Sequence, residues 1–347
     1  MTNNTTLEGF YNTPASLVER ITMGIWLVNL ATFSLFGNLF VIFATFKKTA
    51  FQLDNASLHI IRSLAAVDAL SVIIMIANVT SLVYNRWIFG QIGCEIIVEL
   101  TRYLGGVEIF TICALNISKI TIFVWPLRAR ARSAQRGQIV SLVFWLVPLL
   151  HRVIALAVPG RTVEFQLTNY RCDSSFNTTV PLQRVISNMS SVLFLVLPLI
   201  VLLGGTAFLG VYLCRMNGVK NSKVVMLVSV SLTYVFSFLP ILIYHFFERA
   251  NFLQRSPTVF LYYVRYANLP IYISFASNPL IYFLTLKSFR AFLTKRVLAA
   301  VGSISIDKYL IRSSSGQKRE PSIELISLPL PQKTTMRVIS SHRATME

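Results

Sequence analysis

Seven long, nearly uncharged runs alternate along this chain with short segments rich in Lys and Arg, and that alternation restricts the fold more than any single motif. The runs fall at about 21–46, 63–84, 96–125, 137–158, 187–213, 224–247 and 258–285. At about 1.5 Å per residue, each can cross the roughly 30 Å hydrocarbon core of a bilayer. Inside that core every backbone polar group needs an internal partner, so runs of this length are expected as helices. Hydrophobic residues fill 54% of the 347 positions and charged ones only 13%, about half the charged share of a soluble domain. The pattern predicts an all-α membrane protein. Its expected form is a seven-transmembrane helix bundle with a short amphipathic membrane-surface helix after the seventh span.

An odd number of spans puts the chain ends on opposite sides. With the N-terminus outside, most basic residues face the cytoplasm, among them Lys47, Lys48, Arg128, Arg130, Arg136, Lys220, Lys223 and Lys287. The positive-inside rule favours this orientation. The net charge of +18 is therefore a topology signal first. Basic residues split among membrane loops argue against a nucleic-acid partner. Residues 1–20 read as an extracellular tail, polar and without the apolar stretch of a cleavable signal. Residues 21–285 read as the spanning domain, 286–299 as an amphipathic surface helix on anionic lipid, and 300–347 as a disordered cytoplasmic tail.

Asn3, Asn4 and Asn177 begin glycosylation sequons that lie outside in this topology, whereas Asn78, Asn116 and Asn188 match within or beside spans, by chance on this reading. Cys94 and Cys172 both face an oxidising compartment, which makes them the natural disulfide pair. Cys113 and Cys214 read as packing residues.

Motifs in every span make the chain resemble the rhodopsin-type, or class A, G-protein-coupled receptors over about residues 20–300. Gly37-Asn38 stands in the first span, Leu64-Ala65-Ala66-Val67-Asp68 in the second, and Trp87-Ile88-Phe89-Gly90 before Cys94. Trp145, Pro198 and Phe238-Leu239-Pro240 follow in the fourth, fifth and sixth. Asn278-Pro279-x-x-Tyr282 closes the seventh, with Phe289 at the spacing of the surface helix. The resemblance implies a receptor at the plasma membrane, not an enzyme, that takes an extracellular ligand and activates a heterotrimeric G protein. It also implies arrestin and a receptor kinase as partners of the Ser- and Thr-rich tail.

Departures from the family pattern are informative. Where relatives carry Asp-Arg-Tyr, this chain reads Ser118-Lys119-Ile120. Lys keeps the charge of Arg but not its planar fork, and Ser118 cannot hold it as a carboxylate would. Lys220 occupies the region where many relatives place the acid that pairs with that Arg, so the usual ionic latch is expected to be absent. Thr206 replaces a common Tyr, and Phe238 replaces a common Trp above the Pro240 kink. The expected activation switch is Lys119, Phe238, Pro240, Asn278, Pro279 and Tyr282.

Two acids lie deep in the spans, and a bare carboxylate there is costly. The resemblance puts Asp68 at the family's sodium site, with Asn38, Ser274 and Asn278 nearby and Glu108 facing the same place. Three readings stand: coordination of a sodium ion, a proton shared between the carboxyls, or hydrogen bonding alone. No other cofactor is implied. Toward the outer half, Thr101, Arg102, Phe238, His245, Asn268, Tyr272 and Arg265 are candidate ligand contacts, with Glu99 and Glu248 nearer the mouth. Arg102 reads equally as snorkelling or as paired with Glu99, and His245 as a hydrogen-bonded wall residue. Thr101 stands where amine receptors carry an Asp, which disfavours a biogenic amine. The alternation over 161–172 suits a β-hairpin lid, as in many peptide receptors. A peptide ligand is expected, with a chemosensory small molecule as the alternative. A channel or transporter is the alternative of a different class, but the paired broken helices of transporters are absent.

Overall fold

The computed structural model describes residues 14–124, 133–175, 180–215, 222–249, 263 and 265–299. Asn3, Asn4, Asn177, Lys220, the side chains of His245 and Glu248, and the 300–347 tail lie outside the described residues. Among those described, five helices are long and apolar enough to cross a bilayer: Leu17–Thr45, Asn55–Tyr84, Gln135–Leu156, Pro181–Tyr212 and Ser222–Ile243. The third span, Gly90–Val124, and the seventh, Ile271–Thr285, complete a bundle of seven. The third is less apolar because it carries Glu99, Arg102, Glu108 and Lys119. A further helix covers 287–299.

Helix ends overrun the hydropathy edges because capping, rather than hydrophobicity, sets them. Ser16 and Glu19 form a capping box that opens the first span. The Asp54 side chain accepts the Ser57 N–H at 3.0 Å, so the second span starts at Asn55 and not near 63. Pro181 sits in the first turn of the fifth, where a missing N–H costs nothing. Pro198 has no N–H to offer the preceding turn, and Val192–Val196 widens there into a π-turn. The seventh run is not one helix, as hydropathy alone implied. Residues 267–270 form a turn before Ile271, because Pro270 disfavours helical backbone at the residue ahead of it.

Short polar links and small residues join the spans. Trp145 Nε1 donates to Ser63 Oγ at 2.8 Å, and Asn116 Nδ2 to Ser231 Oγ at 2.7 Å. Asn78 donates to the Tyr272 hydroxyl. Asn78 and Asn116 are therefore buried structural groups, consistent with reading their sequons as chance. Gly37 packs so tightly on the seventh span that an added Cβ would lie 2.9 Å from Pro279 Cγ. At Gly137 a Cβ would lie 2.6 Å from the Ala56 Cα. In lipid, where hydrophobicity does not drive helices together, such close approaches supply the packing attraction.

One end of the bundle carries the hairpin expected from the alternation. Strand β1, Thr162–Gln166, pairs antiparallel with β2, Arg171–Ser175, and Phe165 stands opposite Cys172. The Cys94–Cys172 disulfide ties β2 to the third span. Trp87 stacks on Phe165, with ring centroids 6.1 Å apart.

The contact at Pro279 gives a direct test. Gly37→Ala should destabilise the bundle by about 1–3 kcal/mol, the usual cost of overpacking. Gly24→Ala, where an added Cβ meets nothing within 4 Å, should not. Thermal unfolding in nanodiscs compares the two.

Candidate functional site

A buried polar seam runs between the second, third and seventh spans. Asn278 Nδ2 donates to Asp68 Oδ2 at 2.7 Å. Ser34 Oγ donates to the Asp68 carbonyl at 2.8 Å, and Asn38 Nδ2 donates to the carbonyls of Ser34 and Phe275, each at 2.9 Å. Ser274 Oγ donates to Glu108 Oε1 at 2.9 Å. Pro279 has no N–H for the Phe275 carbonyl, and Asn38 meets exactly that carbonyl. Asp68 and Glu108 are fully buried electrostatic neighbours. Asp68 Oδ1, Glu108 Oε2 and Asn38 Oδ1 have no hydrogen-bond partner among the described residues. Hard oxygen donors left over in this way fit a small hard cation such as sodium, and equally a proton held by one carboxyl.

At the end of the bundle away from the hairpin, the link between the first two spans gathers several elements. Lys48–Phe51 forms a single helical turn. Phe51 is fully buried, edge-on to Tyr282 at 5.6 Å and tilted against Phe289 at 5.0 Å. Gln52 adopts a left-handed backbone, φ 52°, and its carbonyl accepts from Lys223 Nζ at 2.5 Å. Lys119 Nζ lies 2.7 Å from Asp54 Oδ1 and is almost fully buried. Position 118 offers Lys119 no carboxylate, but Asp54 does. The partner comes from the link after the first span, not from Ser118 or the sixth span. Burial pushes the Asp54 carboxyl up, but Lys119 and the Ser57 hydrogen bonds outweigh it and hold the group below the ordinary carboxylate range.

At the hairpin end, charged ties fix the lid to the bundle. Arg102 bonds Asp173 Oδ1 at 3.3 Å and the Ser174 carbonyl at 2.9 Å, so it neither snorkels nor pairs with Glu99 as the sequence allowed. Arg171 bonds the other Asp173 oxygen at 2.9 Å. Glu99 instead binds Arg161 and lies 3.7 Å from Arg152. Arg152 in turn contacts His151 Nδ1, and His151 Nε2 meets Ser190 Oγ at 3.1 Å. Tyr170, in the hairpin turn, donates to Asn85 Oδ1 at 2.8 Å and accepts the Ala15 N–H at 2.9 Å. Arg265 donates to the Thr168 carbonyl and to the Glu19 carboxylate, which also accepts from the Tyr266 hydroxyl.

The expected ligand contacts thus divide. Thr101 is exposed, and its hydroxyl returns to the Ile97 carbonyl. Arg265 is buried in an internal ion pair rather than open at a mouth, because Glu19 at the start of the first span reaches it. Tyr272 is buried against Asn78, and Asn268 keeps a buried Oδ1 without a hydrogen-bond partner among the described residues. Phe238 stacks on Tyr234 with centroids 4.2 Å apart, and the Pro240 carbonyl accepts from Tyr263 at 2.5 Å. Tyr282 Oη and Thr206 Oγ1 are both buried without hydrogen-bond partners among the described residues. Sequence reasoning missed Asp54, Asp173, Arg152, Tyr170 and Glu19. Asp54 and Glu19 had local signals: an Asp just before an apolar-periodic run marks an N-cap, and Ser16-x-x-Glu19 has the spacing of a capping box.

Comparison with known proteins follows this geometry. The family model for 7 transmembrane receptors of the rhodopsin family matches residues 37–282. A 5-hydroxytryptamine receptor 7 from Xenopus laevis is 28% identical over 141 residues, 40% of this chain and 32% of that protein. The match thus spans about a third of that relative's length. The crystal structure of squid rhodopsin shares the fold with a TM-score of 0.68, at 16% identity over 83% of this chain and 88% of that one.

The Asp173 tie should be insensitive to ordinary pH. Burial raises its carboxyl, but Arg171 and Arg102 outweigh that and keep it below the usual range. A depressed carboxylate stabilises fully above its unfolded pKa of about 3.9 and loses that contribution only as pH falls through the lower folded value. Hydrogen exchange over 162–175 should therefore show constant protection factors from about pH 5 to 8, once corrected for intrinsic exchange. Asp173→Ala should lower that protection several-fold at every pH.

Proposed function

The chain belongs to the rhodopsin family of seven-transmembrane receptors, and from that membership we propose that it converts binding of an extracellular peptide into activation of an intracellular heterotrimeric G protein. In this reading it sits in the plasma membrane with the N-terminus outside, so that the hairpin end meets the ligand and the Lys119 end meets the G protein. The observation that carries the reading is the joining of the Asn278-Pro279-x-x-Tyr282 hinge to Asp68 on one side and to Phe51 on the other. A kinked span so connected has the parts of a packing switch between two faces. The seam around Asp68 holds a sodium ion or a shared proton in the resting state. Sodium would bind through Asp68 and Glu108 with help from Asn38, Ser274 and Asn278, and would supply counter-charge for two buried carboxylates. The 287–299 helix, with Lys287, Arg290, Lys295 and Arg296, lies on anionic lipid, and the tail beyond it serves a receptor kinase and arrestin.

The peptide assignment rests on the hairpin end. Arg102 and Arg171 share Asp173, and Arg152 and Arg161 share Glu99, so this end mixes cations and acids. A surface of mixed charge suits a peptide with a charged end. The serotonin-receptor relative favours a second reading, a small amine. Against it, Thr101 has no charge to offer, and Glu99 and Asp173 are already engaged. A chemosensory small molecule that carries an acid would meet the same arginines.

Nucleotide exchange on purified G proteins, driven by receptor in nanodiscs, tests this. Fractionated secreted peptides should stimulate exchange while serotonin and related amines should not. Saturable stimulation by an amine would overturn the peptide reading. Replacing sodium by choline should raise agonist affinity several-fold in the wild type and leave Asp68→Asn unchanged. An affinity that follows pH instead would assign the seam to a shared proton.

A further inference from the structure

The carboxylate that holds Lys119 comes from an unexpected place, and its neighbours suggest why. Asp54 Oδ1 accepts from Lys119 Nζ at 2.7 Å and from Ser57 Oγ at 2.7 Å, while Oδ2 accepts the Ser57 N–H at 3.0 Å. One side chain thus caps the second span and neutralises a buried ammonium on the third. Two residues earlier, the Gln52 carbonyl takes the Lys223 ammonium from the start of the sixth span. The two lysines are electrostatic neighbours. Between them lies the link's own backbone, turned by the left-handed Gln52 and anchored by Phe51 against Tyr282 and Phe289. The third, sixth and seventh spans and the 287–299 helix therefore meet the same few residues, Phe51–Asp54.

We propose that Asp54 is the counter-ion that keeps this end of the bundle closed at rest, by pairing with Lys119 and so letting Lys223 dock on the same link. The physics is a balance of three charges. With Asp54 ionised, the Lys119 ammonium is neutralised and Lys223 can settle beside it on a carbonyl. Without that charge, the buried Lys119 ammonium faces the neighbouring Lys223 ammonium with no carboxylate from the link to offset it. The sixth span, which brings Lys223, is then pushed away. An off-state restraint is kept in this way in a chain whose third span lacks an acid beside its basic switch residue. The proposal rests on the reading that this end receives a G protein only for its signalling consequence; the closure itself is a property of the chain.

Asp54→Asn is the decisive variant, because Asn caps helices as well as Asp does, keeping one acceptor oxygen for the Ser57 N–H while removing the charge and the second acceptor. In full-length receptor lacking Cys214 (Cys214→Ser), spin labels at Gln138→Cys and Val225→Cys report the separation of the fourth and sixth spans. Asp54→Asn should lengthen that separation without ligand and raise basal nucleotide exchange several-fold. Adding Lys119→Gln, which removes the repelling ammonium, should return both readouts toward the wild type. A longer separation that brings no exchange with any Gα class supports the closure and sinks the G-protein reading instead. An unchanged separation in Asp54→Asn overturns the proposal, as does a change that Lys119→Gln fails to reverse. Thermal unfolding checks that each variant is folded.

Discussion

The hydrogen bond from Asn278 to Asp68 is the contact on which the rest of this bundle turns. It lies where the seventh span is weakest, beside a proline that cannot complete the backbone ladder, and it answers a carboxylate that lipid would not tolerate alone. Asn38 satisfies the carbonyl freed by Pro279, and Gly37 lets the first span come close enough for it to do so. Three spans are thereby fixed around one kink. Glu108, bound through Ser274, brings the third span to the same seam. Polar groups that would be liabilities singly become the specification of how the helices meet.

From that seam the contacts run on without a break to the end that carries Lys119. Tyr282, one turn beyond the kink, touches Phe51; Phe51 belongs to the link that carries Gln52 and Asp54; those two hold Lys223 and Lys119. The hairpin end is built differently. There the ties are many and redundant: a disulfide, arginines that share Asp173 and Glu99, and Tyr170 bridging Asn85 and Ala15. Redundant ties hold a lid in place when one is lost. The Lys119 end depends on fewer ties, the Lys119–Asp54 pair and the Lys223 bond to the Gln52 carbonyl.

Much of this was legible in the sequence. Hydropathy marked the seven spans, cysteine placement gave the disulfide, and the alternation over 161–172 gave the hairpin. Other features were hidden for definite reasons. Asp54 and Lys119 are 65 positions apart, and a polar residue in a short link reads as topology rather than as a partner. Arg102 and Glu99 share a helix and invite pairing, yet the hairpin brings Asp173 to the first and Arg161 to the second. Arg265 reads as a ligand contact until Glu19, at the far end of the chain, is seen to reach it. Each is a long-range charge choice, decided by which loop folds over which span, and no local pattern encodes it. The break at 267–270 was readable from Pro270 but was masked by the apolar run around it.

The central claim is that the buried seam and the Phe51–Asp54 link are one connected element. Hydrogen exchange in nanodiscs on Asn278→Ala tests it most directly, with the hairpin as internal control. Loss of the Asp68 partner should free the hinge, move Tyr282 from Phe51 and deprotect residues 50–57 several-fold, while 162–175 keeps its wild-type protection. Unchanged protection at 50–57 would contradict the account and leave the seam and the link as separate structures.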